Sequence, residues 1–310
     1  MFRKSTLLLF VLLMLVAAPL TLAQDTFGLS MEDFGLLTSQ DMDATSVSFD
    51  LAMSLNITGS PDGDVLVDLN GTGAFGEGAD GSPIGSFNLT GAANAGGESI
   101  PVDFQMRIVD NILYMNLGDG NGWQGQTLDD AMSTFGNMAP LPVNPMDLAS
   151  GNMADNPQAM EAMGEMMNAF EGFDPSTLIS MSRLDDMGGQ AHFHIDVDLQ
   201  SFLSSEAFNK MMSAAGTMSG DESVAGMGAM LGAMFQDMTL TLDEFIELET
   251  SRARQAILNF GMGINPAMMG VEDAGPMNVG FMLDISNLQY DVMVDVTAPE
   301  GATLMGSAAG

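Results

Sequence analysis

The sequence predicts an α+β fold in which one curved antiparallel β-sheet is covered by helices on its concave side. Apolar residues alternate with polar or small ones in long runs near both ends of the chain, a pattern typical of strands with one buried face. Short turns join these runs, which favours antiparallel neighbours. Two blocks, residues 127–173 and 204–235, have helical spacing instead. A division into two domains near residue 174 is the alternative.

The first part of the chain is predicted to be a leader followed by three strands. Residues 24–44 are polar and acidic, with a short helix expected over residues 31–37. Alternation then predicts a strand over residues 47–57. After a Pro-Asp-Gly turn, residues 65–69 continue the alternation, and residues 84–93 form a weaker third strand.

A hairpin within residues 102–123 fixes the register that follows. Asp110 and Asn111 form its two-residue turn, because both residue types tolerate the positive φ of a type I′ turn. Six apolar side chains then share one face, and a slip of one residue would expose them at about 1.5–3 kcal/mol each. The other face, with Arg107 against Tyr114 in a cation–π contact, is predicted to be solvated. The apolar pairs are Ile108 with Leu113, Met106 with Met115, and Phe104 with Leu117.

The two helical blocks enclose a pair of strands. In the first block, Asn156 and Pro157 supply an N-cap and a first helical residue. Strands are predicted over residues 178–184 and 191–199, before the second block. The last part of the chain alternates again over residues 238–242, followed by runs over 245–248, 256–262 and 279–285. A turn at Ser286 and Asn287 is predicted to pair residues 288–294 with the last run.

The N-terminus has the three regions of a secretory signal peptide. Arg3 and Lys4 precede an apolar run over residues 7–16, and small residues up to Ala23 provide a cleavage site. We therefore expect a signal peptide over 1–23, a leader over 24–44, one domain over 45–300, a flexible tail over 301–310, and a secreted, extracellular or periplasmic location. No later run approaches the ~20 residues of a membrane span, so no integral membrane span is predicted.

The charge of the chain limits its partners. The formal net charge is −34, with 41 acidic residues against 7 Lys and Arg. Such a charge repels nucleic acid and anionic lipid headgroups, so no nucleic-acid partner is expected. An acidic, solubilising coat explains the composition.

Methionine is abundant, with 31 residues concentrated in the middle of the chain. Met is flexible and polarizable, so a Met-lined cavity adapts to ligands of varied shape such as acyl chains. For any single Met, core packing is the preferred explanation, and the cavity is predicted from the Met residues taken together. The residues expected to line a cavity are Met160, Met163, Met167, Phe170, Met227, Met230, Leu231 and Met234 from the helical blocks, and Phe104, Met106, Ile108 and Met115 from the hairpin.

Metal handling and catalysis are weaker alternatives. His192 and His194 share one face of a strand, but alternate strand residues lie about 6–7 Å apart and no third-ligand motif is apparent. Met160, Met163 and Met166 could bind Cu(I), although packing explains the same spacing. The sequence contains no nucleophile–base pattern or phosphate loop, so we predict no enzymatic activity, no metal site and no cofactor.

Four segments carry a resemblance to known proteins: residues 110–123 (DNILYMNLGDGNGW), 189–203 (GQAHFHIDVDLQSFL), 244–260 (EFIELETSRARQAILNF) and 288–300 (LQYDVMVDVTAPE). With the order of elements, the chain over most of 45–300 resembles the LolA-like and LppX-like family of exported lipid-carrier proteins. The resemblance implies a strongly curved half-barrel that, with its helices, encloses an apolar cavity for acyl chains. Many relatives are anchored through a cysteine, which this chain lacks.

The sequence therefore favours an exported, non-catalytic protein that binds a lipid or another hydrophobic molecule between the sheet and the Met-rich helices. The alternative is a cell-surface interaction module with a filled core and an acidic, cation-dependent partner face. A transient membrane or protein partner is compatible with either function.

Overall fold

The computed structural model describes residues 26–40, 44–60, 63–131, 174–210, 234–265 and 275–305. The helices in these ranges include α1 (Met31–Thr38) and α2 (Leu199–Ser204), with a short 3-10 helix at Pro175–Thr177. The strands are β1 (Ser46–Thr58), β2 (Val65–Glu77), β3 (Pro83–Ala95), β4 (Glu98–Val109), β5 (Ile112–Asn116), β6 (Gln124–Thr127), β7 (Ile179–Arg183), β8 (Gln190–Val197), β9 (Phe235–Glu247), β10 (Arg252–Ile264), β11 (Met277–Tyr290) and β12 (Thr303–Leu304).

Within the described ranges the twelve strands form one sheet, in the order β12-β6-β5-β4-β3-β2-β1-β11-β10-β9-β8-β7. Neighbouring strands are antiparallel, except for β12, which runs parallel to β6. The predicted fold class is confirmed, since the structure is a large, open, curved antiparallel sheet with a few short helices. Most of the two helical blocks, residues 132–173 and 211–233, lies outside the described residues. None of the helices in the described ranges is long and apolar enough to cross a membrane.

The predicted first hairpin is confirmed at its turn. Asp110 and Asn111 have φ angles of 52° and 61°, as a type I′ turn requires. Met106 pairs with Met115 and Ile108 with Leu113, as predicted. The third predicted pair, Phe104 with Leu117, does not form, because β5 ends at Asn116 and Leu117 is 62% exposed. The side chain of Asn116 accepts a hydrogen bond from the Gly118 amide (3.0 Å), which turns the chain out of the ladder.

The predicted closing hairpin is wrong. Strand β11 continues through Ser286 and Asn287 to Tyr290 and pairs with β1 along its length. Asn287 has a φ of 52°, and the register shifts here so that Asn287 and Leu288 face the single residue Phe49. This is a β-bulge, which requires the same left-handed backbone conformation as a tight turn. The sequence signal was therefore real, but it marks a bulge.

Residues 291–305, which we call the C-terminal arm, return along the outer side of β1 to β6. The Ser46 hydroxyl donates to the Val292 carbonyl (2.6 Å), and Arg107 donates to the Thr297 carbonyl (3.1 Å). Thr303 and Leu304, predicted to be part of a flexible tail, form β12 because they pair with the edge of β6.

The described part of the leader, residues 26–40, packs against β7 to β10. Its helix α1 is confirmed, with Ser30 as N-cap accepting a hydrogen bond from the Asp33 amide (3.1 Å). The Met181 amide of β7 donates to the Phe27 carbonyl (2.8 Å), and Asp33 forms an ion pair with Arg183. The apolar residues that this contact buries are Phe27, Leu29, Leu37, Ile179, Met181, Ala191, Phe193, Ile195, Leu242 and Ile246. The leader is therefore part of the core as well as a polar surface.

Candidate functional site

The strand register places apolar side chains in continuous rows on one side of the sheet. Residues directly opposite in neighbouring strands point to the same side, so the pairing identifies each row. Two rows of nine residues cross from β4 to β7 without a polar side chain. One row is Val102, Gly91, Leu69, Met53, Leu283, Leu258, Leu242, Ile195 and Met181, and the other is Ile100, Ala93, Val67, Leu55, Phe281, Phe260, Leu240, Val197 and Ile179. We call the side that carries these rows the apolar face.

The apolar face is covered unevenly. At β7 to β9, Met181, Ile195 and Leu242 are buried beneath the leader. In the middle of the sheet, Met53 and Leu283 are only half-buried. The face therefore continues from a closed core into a surface that retains access to other molecules.

Phenylalanine rings lie flat on the apolar face where the neighbouring strand has glycine. A Cβ added to Gly73 would lie 2.4 Å from the ring of Phe49, and one added to Gly85 would lie 2.3 Å from the ring of Phe75. The Phe49 ring centroid is 6.2 Å from that of Phe75 and 6.5 Å from that of Phe87. The missing side chains let each ring rest on the backbone of the next strand. The ring centroids of Phe87 and Phe104 are also 6.2 Å apart. We call these four rings, Phe75, Phe49, Phe87 and Phe104, the aromatic row.

The structure brings the hairpin residues of the predicted site together. Ile108 is buried with Leu113 and Ala131, and Met106 and Met115 pack against this cluster. Phe104 lies at one end of the aromatic row.

The helical residues of the predicted site are placed less completely. The Met234 carbonyl accepts from the Asn265 amide (3.0 Å), at the end of β9 and β10. The strand register places Met234 near the end of β1 that contains Thr58. Met106 is in the cross-strand row of Phe49, near the other end of β1. The pairing of strands therefore does not bring Met234 beside the hairpin residues. Met160, Met163, Met167, Phe170, Met227, Met230 and Leu231 lie outside the described residues.

Glu244 is a buried carboxyl on the apolar face that sequence reasoning missed. It is 4% exposed and lies between Phe193 of β8 and Ala256 of β10. The Gln40 side-chain amide at the end of the leader donates to its Oε1 (2.5 Å). Burial raises the pKa of Glu244 to about 7, against a smaller lowering by the Gln40 hydrogen bond. Burial also raises the pKa of Tyr290, with a further contribution from the charge of Glu244.

The alternation of β9 contained the signal for Glu244. Leu240, Leu242, Glu244 and Ile246 occupy successive inward positions of one strand. The predicted run was divided between residues 242 and 245, so Glu244 was assigned to neither part. Continuing the period of two would have placed this carboxyl on the apolar face.

The two histidines lie on the outer side of the sheet. His192 Nε2 and His194 Nδ1 both lie 2.9 Å from Asp243 Oδ1, and His192 stacks on Phe245 at 4.2 Å. Asp243 belongs to the neighbouring strand, so its proximity could not be read from the histidine motif. In the described part of the chain, no group of three or more His, Asp or Glu side chains is arranged to hold a metal ion.

The fold and this site define the chain as a protein with an open, curved antiparallel sheet and one continuous apolar face. No protein-family model matches the chain, and no curated protein matches it. Among solved structures, it is similar to LprF from Mycobacterium bovis, with 10% identity and a TM-score of 0.27 over 82% of this chain and 90% of that one. It is also similar to a β-barrel-like protein of domain of unknown function DUF1849 from Brucella abortus, with 8% identity and a TM-score of 0.14 over 80% of this chain and 98% of that one. At these values neither protein supports an assignment of function. The resemblance to the LolA-like and LppX-like family therefore stays a prediction, and the fold class rests on the observed sheet itself.

Proposed function

We propose that the chain is an exported, non-catalytic protein whose apolar face binds the hydrocarbon part of a lipid or lipid-like molecule. The observation that carries this proposal is the pair of nine-residue rows that cross the sheet without a polar side chain. Export is inferred from the signal-peptide pattern of residues 1–23.

The size of the apolar face supports a hydrocarbon ligand. Side chains such as Met53, Leu283 and Phe281 are only half-buried, so a ligand laid against them would remove further apolar surface from water. Each methylene group that becomes buried contributes about 0.8 kcal/mol. Contiguous apolar surface on this scale is typical of binding sites and partner interfaces.

The acidic composition constrains which part of a lipid is bound. With a net charge of −34, the chain repels anionic headgroups at a distance. In the described strands, four aspartate side chains point to the outer side of the sheet, away from the apolar rows: Asp50, Asp68, Asp103 and Asp284. We therefore expect the hydrocarbon part of the lipid to provide the affinity for the apolar face. The space above this face should determine which lipids fit.

A matched pair of substitutions tests this proposal. Ala93 and Ala92 are adjacent in β3, both half-buried, and lie on opposite sides of the sheet. Ala93→Trp places an indole on the apolar face between Val67 and Ile100. Ala92→Trp adds the same bulk on the outer side. We expect Ala93→Trp to weaken uptake of a fluorescent fatty acid at least tenfold and Ala92→Trp to leave uptake unchanged.

Circular dichroism and urea unfolding of both variants establish that they remain folded. Native mass spectrometry of the unsubstituted protein, purified from a lipid-containing host, should detect about one acyl-chain species per chain. A lipid-free mass with no fatty-acid uptake would contradict the proposal and favour the interaction module with a filled core. Equal loss of uptake in both variants would show that the apolar face is not the site.

A further inference from the structure

We propose that the leader is a displaceable, intramolecular occupant of the apolar face, and that the burial of Glu244 beneath it makes its docking weaken as the pH rises. The inference rests on the proposed function for the identity of the competing ligand. Its conformational part concerns the leader alone.

The leader occupies the same surface on which a ligand is proposed to bind. Phe27, Leu29 and Leu37 are buried against Ile195 and Leu242, and Leu242 belongs to one of the two continuous rows. That row continues without interruption to the half-buried residues in the middle of the sheet. Release of the leader would therefore extend the accessible apolar face toward β7.

Besides apolar packing, polar contacts of the described residues connect the leader to the sheet. They include one backbone hydrogen bond from Met181 to Phe27, the ion pair of Asp33 with Arg183, and the hydrogen bond from Gln40 to Glu244. Helix α1 has eight residues, which is too short to be stable in water by itself. Docking and helix formation are consequently coupled, and a modest change in docking free energy changes the population of the docked leader.

Glu244 is the group in this contact that responds to pH. Within the described residues, no arginine, lysine or histidine forms an ion pair with it. The cations of β10 are engaged elsewhere, Arg252 with Asp291 and Arg254 with Glu247. A carboxyl buried without a cation favours its protonated form.

Two other titratable groups lie near Glu244, Tyr290 on the apolar face and Asp33 in the leader, whereas His192 and His194 lie on the opposite, outer side of the sheet. Burial raises the pKa of Tyr290 above its ordinary value of 10.0, so its phenol stays neutral. Hydrogen bonds from Ser30 and Arg183 hold the pKa of Asp33 below its ordinary value of 3.8, so that carboxylate stays ionised. Because the leader contacts Glu244 through Gln40 and the two histidines contact Asp243 on the other side of the sheet, the pH response of leader docking is assigned to Glu244.

The direction and size of the effect follow from linkage. The docked state holds a proton on Glu244 up to a pKa of about 7, whereas a released leader exposes the carboxyl, whose ordinary pKa is 4.5. The contribution of protonated Glu244 to docking is thus fully present below pH 4.5 and is lost progressively as the pH rises to about 7. Between pH 5 and 8 the ratio of docked to released leader should fall by up to about 100-fold.

Hydrogen exchange of the full chain tests the conformational part. The exchange of amides in residues 26–40, corrected for the intrinsic effect of pH, is measured at pH 5 and pH 8. The unsubstituted chain should lose leader protection at pH 8, whereas Glu244→Gln should retain it, because Gln is isosteric and does not titrate. Asp33→Asn is the control, since it should lower protection at both pH values and leave their ratio unchanged. Glu244→Met provides a second non-titrating variant if Glu244→Gln does not fold.

Two results would overturn the inference: equal leader protection at both pH values in the unsubstituted chain, or an unchanged pH dependence in the Glu244 variants. A second measurement, the uptake of diphenylhexatriene, uses an uncharged probe and should increase at pH 8 in the unsubstituted chain only. Leader release without any uptake at either pH would refute the proposed function while supporting the leader mechanism. Uptake that is independent of leader release would refute the competition.

Discussion

The contact between Phe49 and Gly73 allows the construction of the apolar face to be tested at one position. A Cβ at Gly73 would lie 2.4 Å from Cζ of Phe49 and 2.8 Å from its Cε1. Atoms do not approach so closely, so in Gly73→Ala the ring must leave the backbone of β2. It would then lose its present arrangement with Phe75 and Phe87.

The expected cost of Gly73→Ala combines three effects. Overpacking costs about 1–3 kcal/mol, and each disturbed aromatic pair about 0.5–1.5 kcal/mol. Replacing glycine within a strand returns about 0.5–1 kcal/mol, because alanine loses less conformational freedom on folding. We therefore expect the free energy of unfolding to fall by about 3 kcal/mol.

Urea unfolding followed by circular dichroism measures this change, and a double-mutant cycle with Phe49→Ala identifies its cause. Without the Phe49 ring, Gly73→Ala should become neutral or slightly stabilising. Gly280→Ala in β11 is the control, since its nearest neighbour outside the adjacent residues is the Asn56 carbonyl oxygen at 3.9 Å, and it should be neutral or stabilising. The reasoning is refuted if Gly73→Ala costs as much with Phe49 absent as with Phe49 present.

Two further predictions concern the C-terminal arm and the bulge in β11. Arg107→Ala removes a cation–π contact of 4.9 Å to Trp123 and the hydrogen bond to Thr297. We expect the first loss to shift the fluorescence emission of Trp123 to the red and the second to speed amide exchange in the arm. Unchanged emission would contradict the contact between Arg107 and Trp123. Asn287→Gly and Asn287→Val both lose the hydrogen bond to Asp50 (2.6 Å), but only valine is strained at a φ of 52°. Urea unfolding should therefore find Asn287→Val less stable than Asn287→Gly by about 1–2 kcal/mol. Equal stability of the two variants would contradict the bulge geometry.

Local chemistry was sufficient to predict the first hairpin and most strands. The turn residues Asp110 and Asn111 determine which residues of β4 and β5 face one another, and this information is contained in a short segment. The same chemistry failed at Asn287, because a left-handed residue suits both a turn and a bulge. The outcome there depends on β1, which is far away in the sequence and supplies a continuous partner for β11.

The surroundings of Arg107 show the same limit on the outer side of the hairpin. Tyr114 is opposite Arg107, as predicted, but the guanidinium lies over Trp123 instead. Tyr114 is 7% exposed, although its face was predicted to be solvated. A Cβ added to Gly125 would be 2.9 Å from both the Tyr114 ring and Leu304 of the arm, so the arm closes over this position. The burial of Tyr114 therefore depends on the C-terminal arm, which is almost two hundred residues away in the sequence.

Both ends of the described chain cover an edge of the sheet. At one edge, the Phe27 carbonyl accepts from Met181 of β7, and at the other, Thr303 and Leu304 pair with β6. Exposed edges promote pairing with other chains, so covering them reduces self-association through the backbone. The two coverings differ in what lies beneath them, because β12 is only two residues long whereas the leader also buries part of the apolar face. Movement of the leader would therefore change both the edge at β7 and the apolar surface, which makes it the terminal segment better suited to control access to a ligand.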